Sequence, residues 1–222
     1  MKNICIINGS LRGKEASSLV FLNYINGMLA DTEFNKDIIN VRAKVKEGYP
    51  ENNLKTISRA DAIIMVFPLF TYGIPGALMR LLEDFYLYAK GNGYNKAAGI
   101  YIVVNCGFPR PEIMGELIRV MKNFCRRLSL NWRFAICIGG GPFAAMTVKA
   151  PLLNMKYKRA FLTIASDINN GDTGQKENYF IKPLIPESIL LWIKAQYEKK
   201  MKAGAASKKE RGQVLHYNIN LL

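Results

Sequence analysis

The sequence predicts an α/β domain built on a five-stranded parallel sheet. Two observations carry this. Four short runs, Asn3–Ile7, Ala62–Phe67, Ala98–Val104 and Trp132–Ile138, are almost wholly apolar, as strands covered on both faces must be. Between them lie segments whose apolar residues return with a helical period, joined by short connections rich in glycine, proline and serine.

Taken in order, Asn3–Ile7 is the first strand and 8–18 (NGSLRGKEASS) a polar loop, with Ser17 or Ser18 placed to cap a helix. That helix sets Leu19, Leu22, Ile25 and Leu29 on one side. Asp37–Val41 is a weakly marked second strand, 42–51 is charged and irregular, and Leu54–Arg59 is a brief helix. Ala62 to Met79 then runs eighteen residues without a charge, long enough to raise a membrane span. Pro68, Gly73, Pro75 and Gly76 would break any such helix, so the stretch divides into a strand (62–67), a loop (68–76) and a helix (77–85). Ala98–Val104 is the fourth strand, 105–111 its loop, and Ile113–Leu128 a helix. Trp132–Ile138 is the fifth strand, after which the alternation stops. Leu153 to Ile168 forms a further helix, 169–175 a loop, and a last helix starts at Pro186. The expected domain is 1–182, with 183–222 as a C-terminal helix and tail; 203–212 is expected to be disordered and the role of 214–222 is open.

Composition narrows the functional classes. Among 222 residues, half hydrophobic, are four cysteines without a CxxC pair and one histidine, His216, so zinc and cluster spacings are absent. The start, MKNICIINGS, is only a four-residue apolar run before a turn and is not expected to be a signal peptide, and the cytoplasm is the expected compartment. Net charge is +14, with six cations at Lys199, Lys200, Lys202, Lys208, Lys209 and Arg211 and the rest scattered without a nucleic-acid module. A solvated face and a basic tail account for this charge, so nucleic-acid binding and membrane insertion are not expected.

Two loops carry candidate chemistry. The first, with Ser10, Arg12, Ser17 and Ser18 between a strand end and a helix start, has the composition of a phosphate site. It is no P-loop, since only three residues lie between Gly9 and Gly13 where that motif has four, and Glu15 follows Lys14; no GxGxxG is present. The second, 68–76 (PLFTYGIPG), is uncharged and leaves a buried strand, where an open α/β sheet holds a flat ligand.

GSLRGKEASS after the first strand, with FPLFTYGIPGALMRLLEDF after the third, resembles the NAD(P)H-dependent FMN reductase family of flavodoxin-like proteins. The family patterns are roughly GSxR…[ST] for the FMN phosphate and PxYxxxxPGxLKxxxD for the isoalloxazine ring. The resemblance covers about residues 3–140 and implies a flavodoxin-like three-layer sandwich, strand order 2-1-3-4-5, with a helical C-terminal extension. It implies phosphate contacts at Ser10, Arg12, Ser17 and Ser18 and ring contacts at Pro68, Leu69, Phe70, Thr71, Tyr72 and Gly73. Asn105, Cys106, Gly107 and Phe108 form the third wall by their order in the chain, and Asp84 falls where the family's helix carries an acidic residue. Departures are Leu11 for a common proline, Arg80 near a frequent lysine, Phe70 for a tyrosine and Tyr72 for a small residue.

The implied activity is FMN-dependent transfer of hydride from NADPH or NADH to a small-molecule electron acceptor such as a quinone, flavin, azo or nitro compound. The implied assembly is a homodimer. No protein catalytic residue is required, because the hydride chemistry belongs to the cofactor. Cys106 acts as a redox thiol only if its pKa is lowered, with Arg110 the nearby cation. The alternative is an electron carrier of the flavodoxin kind, against which the basic charge counts; a polyanion binder using the tail is a third reading.

Overall fold

A computed structural model describes residues 1–43, 48–150, 155–171, 174, 176–183, 188, 189, 192 and 195. The chain divides into two units, Met1–Pro183 and Leu184–Leu222. In the second, the four described residues, Ser188, Ile189, Trp192 and Ala195, are helical. The tail expected over 203–222 lies outside the described residues, as does Leu153.

The first unit runs β1 (Lys2–Asn8), α1 (Ser17–Met28), β2 (Phe34–Asn40), α2 (Glu51–Arg59), β3 (Ala62–Pro68) and α3 (Gly76–Gly91). It continues with β4 (Gly99–Asn105), α4 (Gly115–Arg127), β5 (Asn131–Ile138), α5 (Gly141–Thr147), α6 (Met155–Asn170) and β6 (Tyr179–Ile181). The strands form one parallel sheet in the order β2-β1-β3-β4-β5-β6. Successive side chains of each inner strand enter opposite cores. Cys5, Ile7, Ile63, Met65, Ile102 and Val104 pack under α2, α3 and α4. Ile4, Ile6, Ile64, Val66, Tyr101 and Val103 pack under α1 and α6. This is the expected three-layer sandwich.

The sheet has six strands where five were expected. Only Tyr179, Phe180 and Ile181 form β6, too short a run to show a period, but they pair with Ile136, Cys137 and Ile138. Asn178 Oδ1 extends this edge by accepting the Ala135 N–H at 2.8 Å. The alternation also continues past Gly141, because GPFAAMT is a helix and not a turn. Gly140 takes a left-handed φ of 60° as its N-cap, and Pro142 stands in the first turn, where its missing N–H costs nothing. β2 begins at Phe34, ahead of the expected Asp37; it is an edge strand, and its exposed polar residues hide the pattern.

Opposite the loops discussed below, the sheet is clasped by buried charges. A register shift opposite Ile100 and Tyr101 makes Arg133 a bulge residue, so that Trp132 enters one core while Arg133 and Phe134 share the other side. There Arg133 grips Asp167 of α6 through two bonds of 2.7 and 2.8 Å. The Tyr101 hydroxyl donates to the same carboxylate at 2.8 Å, and Lys176 Nζ reaches it at 2.6 Å. Gly99 leaves room for this, because a Cβ there would stand 3.1 Å from the Tyr101 ring and 3.3 Å from Arg133 Cγ. Asp167 sits on the inward face of α6, between Ile164 and Ile168, where the helical period would place an apolar residue.

Burial pushes the Asp167 carboxyl up, but hydrogen bonds from Arg133, Lys176 and Tyr101 together outweigh it and hold it down to about 2, against an ordinary 3.8. A depressed folded pKa contributes stability that is full above the unfolded value of about 4 and is lost as pH falls through about 2. Asp167→Ala leaves the Arg133 guanidinium buried without this carboxylate and is expected to cost about 3–5 kcal/mol in denaturant unfolding at pH 7. The difference between wild type and variant should shrink between about pH 4 and pH 2. Equal stability at pH 7 would contradict a structural role for the clasp.

Candidate functional site

The candidate residues meet at one end of the sheet because each loop begins as one more rung of the ladder. Past the last paired residues, Gly9 N–H donates to Val66 O at 2.9 Å, Leu69 N–H to Asn105 O at 2.7 Å and Cys106 N–H to Ile138 O at 3.0 Å. The chain leaves β1 for α1 on one face and β3 for α3 on the other. The crevice between them is the switch point at which open α/β sheets bind ligands.

The first wall, 9–18, is shaped by asparagines that sequence reasoning did not single out. Asn8 Nδ2 donates to Asn40 Oδ1 at 2.9 Å, and Asn8 Oδ1 accepts the Ser10 N–H at 3.2 Å. Ser10 is buried, and its Oγ accepts the Arg12 N–H at 3.2 Å, closing a small turn with Arg12 exposed. Their signal in the sequence is faint: each ends a strand, and the two meet only through the β1–β2 register.

Neither Ser17 nor Ser18 caps α1. The helix begins at Ser17 with Ala16 at the N-cap, so no side chain satisfies its first N–H groups. Ser18 is 1% exposed and its Oγ has no hydrogen-bond partner. An uncapped helix start, with positive dipole and free donors, beside a buried unpaired hydroxyl fits a phosphate.

The second wall is a tight turn. Phe70 and Gly73 exchange backbone bonds of 3.0 and 2.8 Å, and between them Thr71 and Tyr72 both take left-handed backbone, φ 47° and 61°. Two consecutive positive φ values make a type I′ turn, for which Asn-Gly is the favoured pair. A β-branched threonine there is strained. Neither the Thr71 nor the Tyr72 N–H bonds within the described protein. Phe70 and Tyr72 are exposed, 66% and 64%, while Leu69 and Ile74 pack against the core below.

The third wall, 105–108, closes toward the second. The Tyr72 and Phe108 rings stack with centroids 6.2 Å apart and planes 18° from parallel. Asn105 is buried with Oδ1 unpartnered, a second unmet polar atom in the crevice. Gly140 and Gly141 pin the wall from β5, donating to Phe108 O at 2.7 Å and Cys106 O at 2.6 Å. A Cβ on Gly139 would strike the Pro109 carbonyl, so only glycine lets this loop fold back over β5.

The Cys106 thiol lacks the lowered pKa that a redox role would need. Burial pushes the Cys106 thiol up to about 11 despite backbone hydrogen bonds at Phe108 and Gly140, so it is a neutral thiol at pH 7. Asp84 is engaged within α3 and by the chain after β2: Arg80 donates to it at 2.9 Å and the Tyr49 N–H reaches it at 3.5 Å. Tyr49 in turn donates its hydroxyl to Val41 O and Ala77 O at 3.0 and 2.9 Å, tying the chain after β2 to the start of α3.

The strained turn gives a direct test. Asparagine tolerates left-handed backbone, so Thr71→Asn is expected to stabilise the protein by up to about 1 kcal/mol, or roughly 2–4 °C in Tm. Thermal unfolding checks this, and a lower Tm would mean the turn is held by threonine contacts.

Comparison with known proteins accords with this geometry. Among solved structures, general stress protein 14 from Treponema denticola, solved in complex with FMN, superposes with a TM-score of 0.57 at 15% identity over 76% of this chain and 99% of that one. An azoreductase from Bacillus anthracis gives 0.55 at 13% identity, over 78% and 100%. An NAD(P)H:quinone oxidoreductase from Methanothermobacter marburgensis gives 0.55 at 12%, over 79% and 98%. At such identities the likeness is one of fold. No curated protein matches the chain by sequence. The family model for NADPH-dependent FMN reductase matches residues 2–150, from β1 through α5. The chain therefore belongs to the NADPH-dependent FMN reductase family, oxidoreductases of flavodoxin-like fold.

Proposed function

We propose that the chain binds FMN non-covalently at the β1–β3–β4 crevice, draws hydride from NADPH or NADH, and delivers electrons to a small acceptor such as a quinone, free flavin, azo or nitro compound. The observation that carries this is the pairing, at one sheet end, of an uncapped α1 start holding the buried, unpartnered Ser18 Oγ with an aromatic turn presenting unbonded N–H groups. Bound FMN would supply the hydride and electron transfer itself. The residues of this chain hold and tune it. Ser10, Arg12, Ser17, Ser18 and the α1 N–H groups cradle the phosphate. Pro68, Leu69 and Phe70 with Asn105, Cys106, Gly107 and Phe108 bound the ring slot. The unbonded N–H groups at Thr71 and Tyr72, in a turn closed by Gly73, would favour electron density at a ring edge set against them.

Within this proposal the protein works in the cytoplasm, where nicotinamide donors are at hand. Among the described residues no helix is long and apolar enough to cross a membrane. Phe70, Tyr72, Phe108 and Leu11 leave exposed apolar surface around the crevice, which supports a homodimer whose second copy covers it.

A fluorescence-quench titration with FMN, followed by stopped-flow reduction with NADPH and an acceptor panel, tests the activity. Ping-pong kinetics is expected, since both substrates use one ring face in turn. FMN binding without direct NADPH reduction would point to a carrier, and absence of FMN binding would remove the reading. Ser18→Ala sharpens the test. Removing an unpartnered buried hydroxyl should leave unfolding stability unchanged or slightly raised while weakening FMN about tenfold and riboflavin far less. Equal loss for both flavins would contradict a phosphate contact.

A further inference from the structure

We infer that Arg42 is a phosphomonoester-binding residue, reaching from the end of β2 onto the loop between β1 and α1; the inference rests on the phosphate-site reading above. No motif marks it, since Arg42 lies in a charged stretch far from Ser10 in sequence. The β2–β1 pairing brings it there. Asn40 stands opposite Asn8 in the register, and the two side chains are bonded at 2.9 Å. The next residue, Val41, is fully buried, and its carbonyl accepts the Tyr49 hydroxyl at 3.0 Å. The backbone before Arg42 is therefore fastened on both sides.

Its side chain then lies on the loop itself. Gly13 has a left-handed φ of 63°, and a Cβ built there would collide with Arg42 Nη1 and come within 3.5 Å of Cζ. The guanidinium thus occupies the space that a side chain at position 13 would take. Arg12, Lys14 and Arg42 are all exposed, and among the described residues none of the three is paired with a carboxylate. Arg42 thus adds a third cation to a loop that carries Arg12, Lys14 and one carboxylate, Glu15, and that leads into the uncapped start of α1 with the unpartnered Ser18 Oγ. A dianion with several acceptor oxygens answers all of these at once, and a guanidinium fork suits a phosphate better than a point charge does. Two phosphomonoesters come to such an enzyme, the 5′-phosphate of FMN and the 2′-phosphate of NADPH.

The test compares wild type with Arg42→Gln and Arg42→Lys. Dissociation constants for FMN and riboflavin are measured by fluorescence quenching at low and high salt, KM for NADPH and NADH by steady-state assay, and the Tm shift in inorganic phosphate by thermal unfolding. Arg42→Gln is expected to lose the phosphate-induced Tm shift and, if FMN is the source, to weaken FMN by about tenfold with a flatter salt dependence and riboflavin unchanged. If NADPH is the source, the variant loses about tenfold in the preference for NADPH over NADH with FMN unchanged. Arg42→Lys should recover part of either effect. The inference is overturned if Arg42→Gln keeps the phosphate shift, FMN affinity and donor preference, or if riboflavin weakens in step with FMN, which would mean the loop has merely lost shape. Wild-type protein that binds neither flavin would remove the FMN reading alone; Arg42 would then stand or fall on the inorganic phosphate shift.

Discussion

Everything at the functional end of this molecule depends on the parallel ladder being carried one residue past the strands. The bonds from Gly9 to Val66, from Leu69 to Asn105 and from Cys106 to Ile138 fix where three loops start, to within the length of a hydrogen bond. From those starting points the loops cannot drift apart. The close approach of Gly9 to the Phe67 side chain leaves no room even for a methyl group, since a Cβ would stand 2.7 Å from Phe67 Cβ. Rigid strands thus position residues whose own backbone is irregular, which is how a loop-built site attains a defined shape.

The two ends of the sheet divide the work of stability and recognition. At one end Arg133, Tyr101 and Lys176 converge on the Asp167 carboxylate, and α6 is held against β4 and β5 by that network. At the crevice end the polar atoms are unsatisfied: Ser18 Oγ and Asn105 Oδ1 are buried without partners, and Thr71 and Tyr72 hold a strained backbone. Unmet hydrogen bonds and a left-handed threonine each cost free energy in the free protein, and a ligand that answers the hydrogen bonds recovers that part on binding.

Much of this could be read from the sequence, and the exceptions have physical causes. Inner strands such as Ile63–Phe67 and Ile100–Val104 announce themselves because burial on both faces demands unbroken apolar residues. The order of the first five strands came with the family that the first and third loops resemble. β6 was invisible because three residues carry no period, and α5 because Gly-Gly-Gly-Pro reads as a turn until Pro142 is seen as a helix start. In the site, the residue types of both loops were legible but their conformations were not: Phe70–Gly73 lacks the Asn-Gly signal of its turn, and Ser17 and Ser18 sit inside the helix they were expected to cap. Arg42 and Asn40 were beyond reach, since only the β1–β2 register places them at the loop.

The central claim is that the α1 start and the 70–73 turn face a single ligand. A crystal structure of the protein grown with FMN tests it most directly. The account predicts the phosphate at the Ser17–Ser18 end of α1 and the ring beside the Thr71 and Tyr72 N–H groups, with the Tyr72–Phe108 stack opened or shifted to admit it. A flavin bound elsewhere, with that stack intact and Ser18 Oγ still unpartnered, would contradict it.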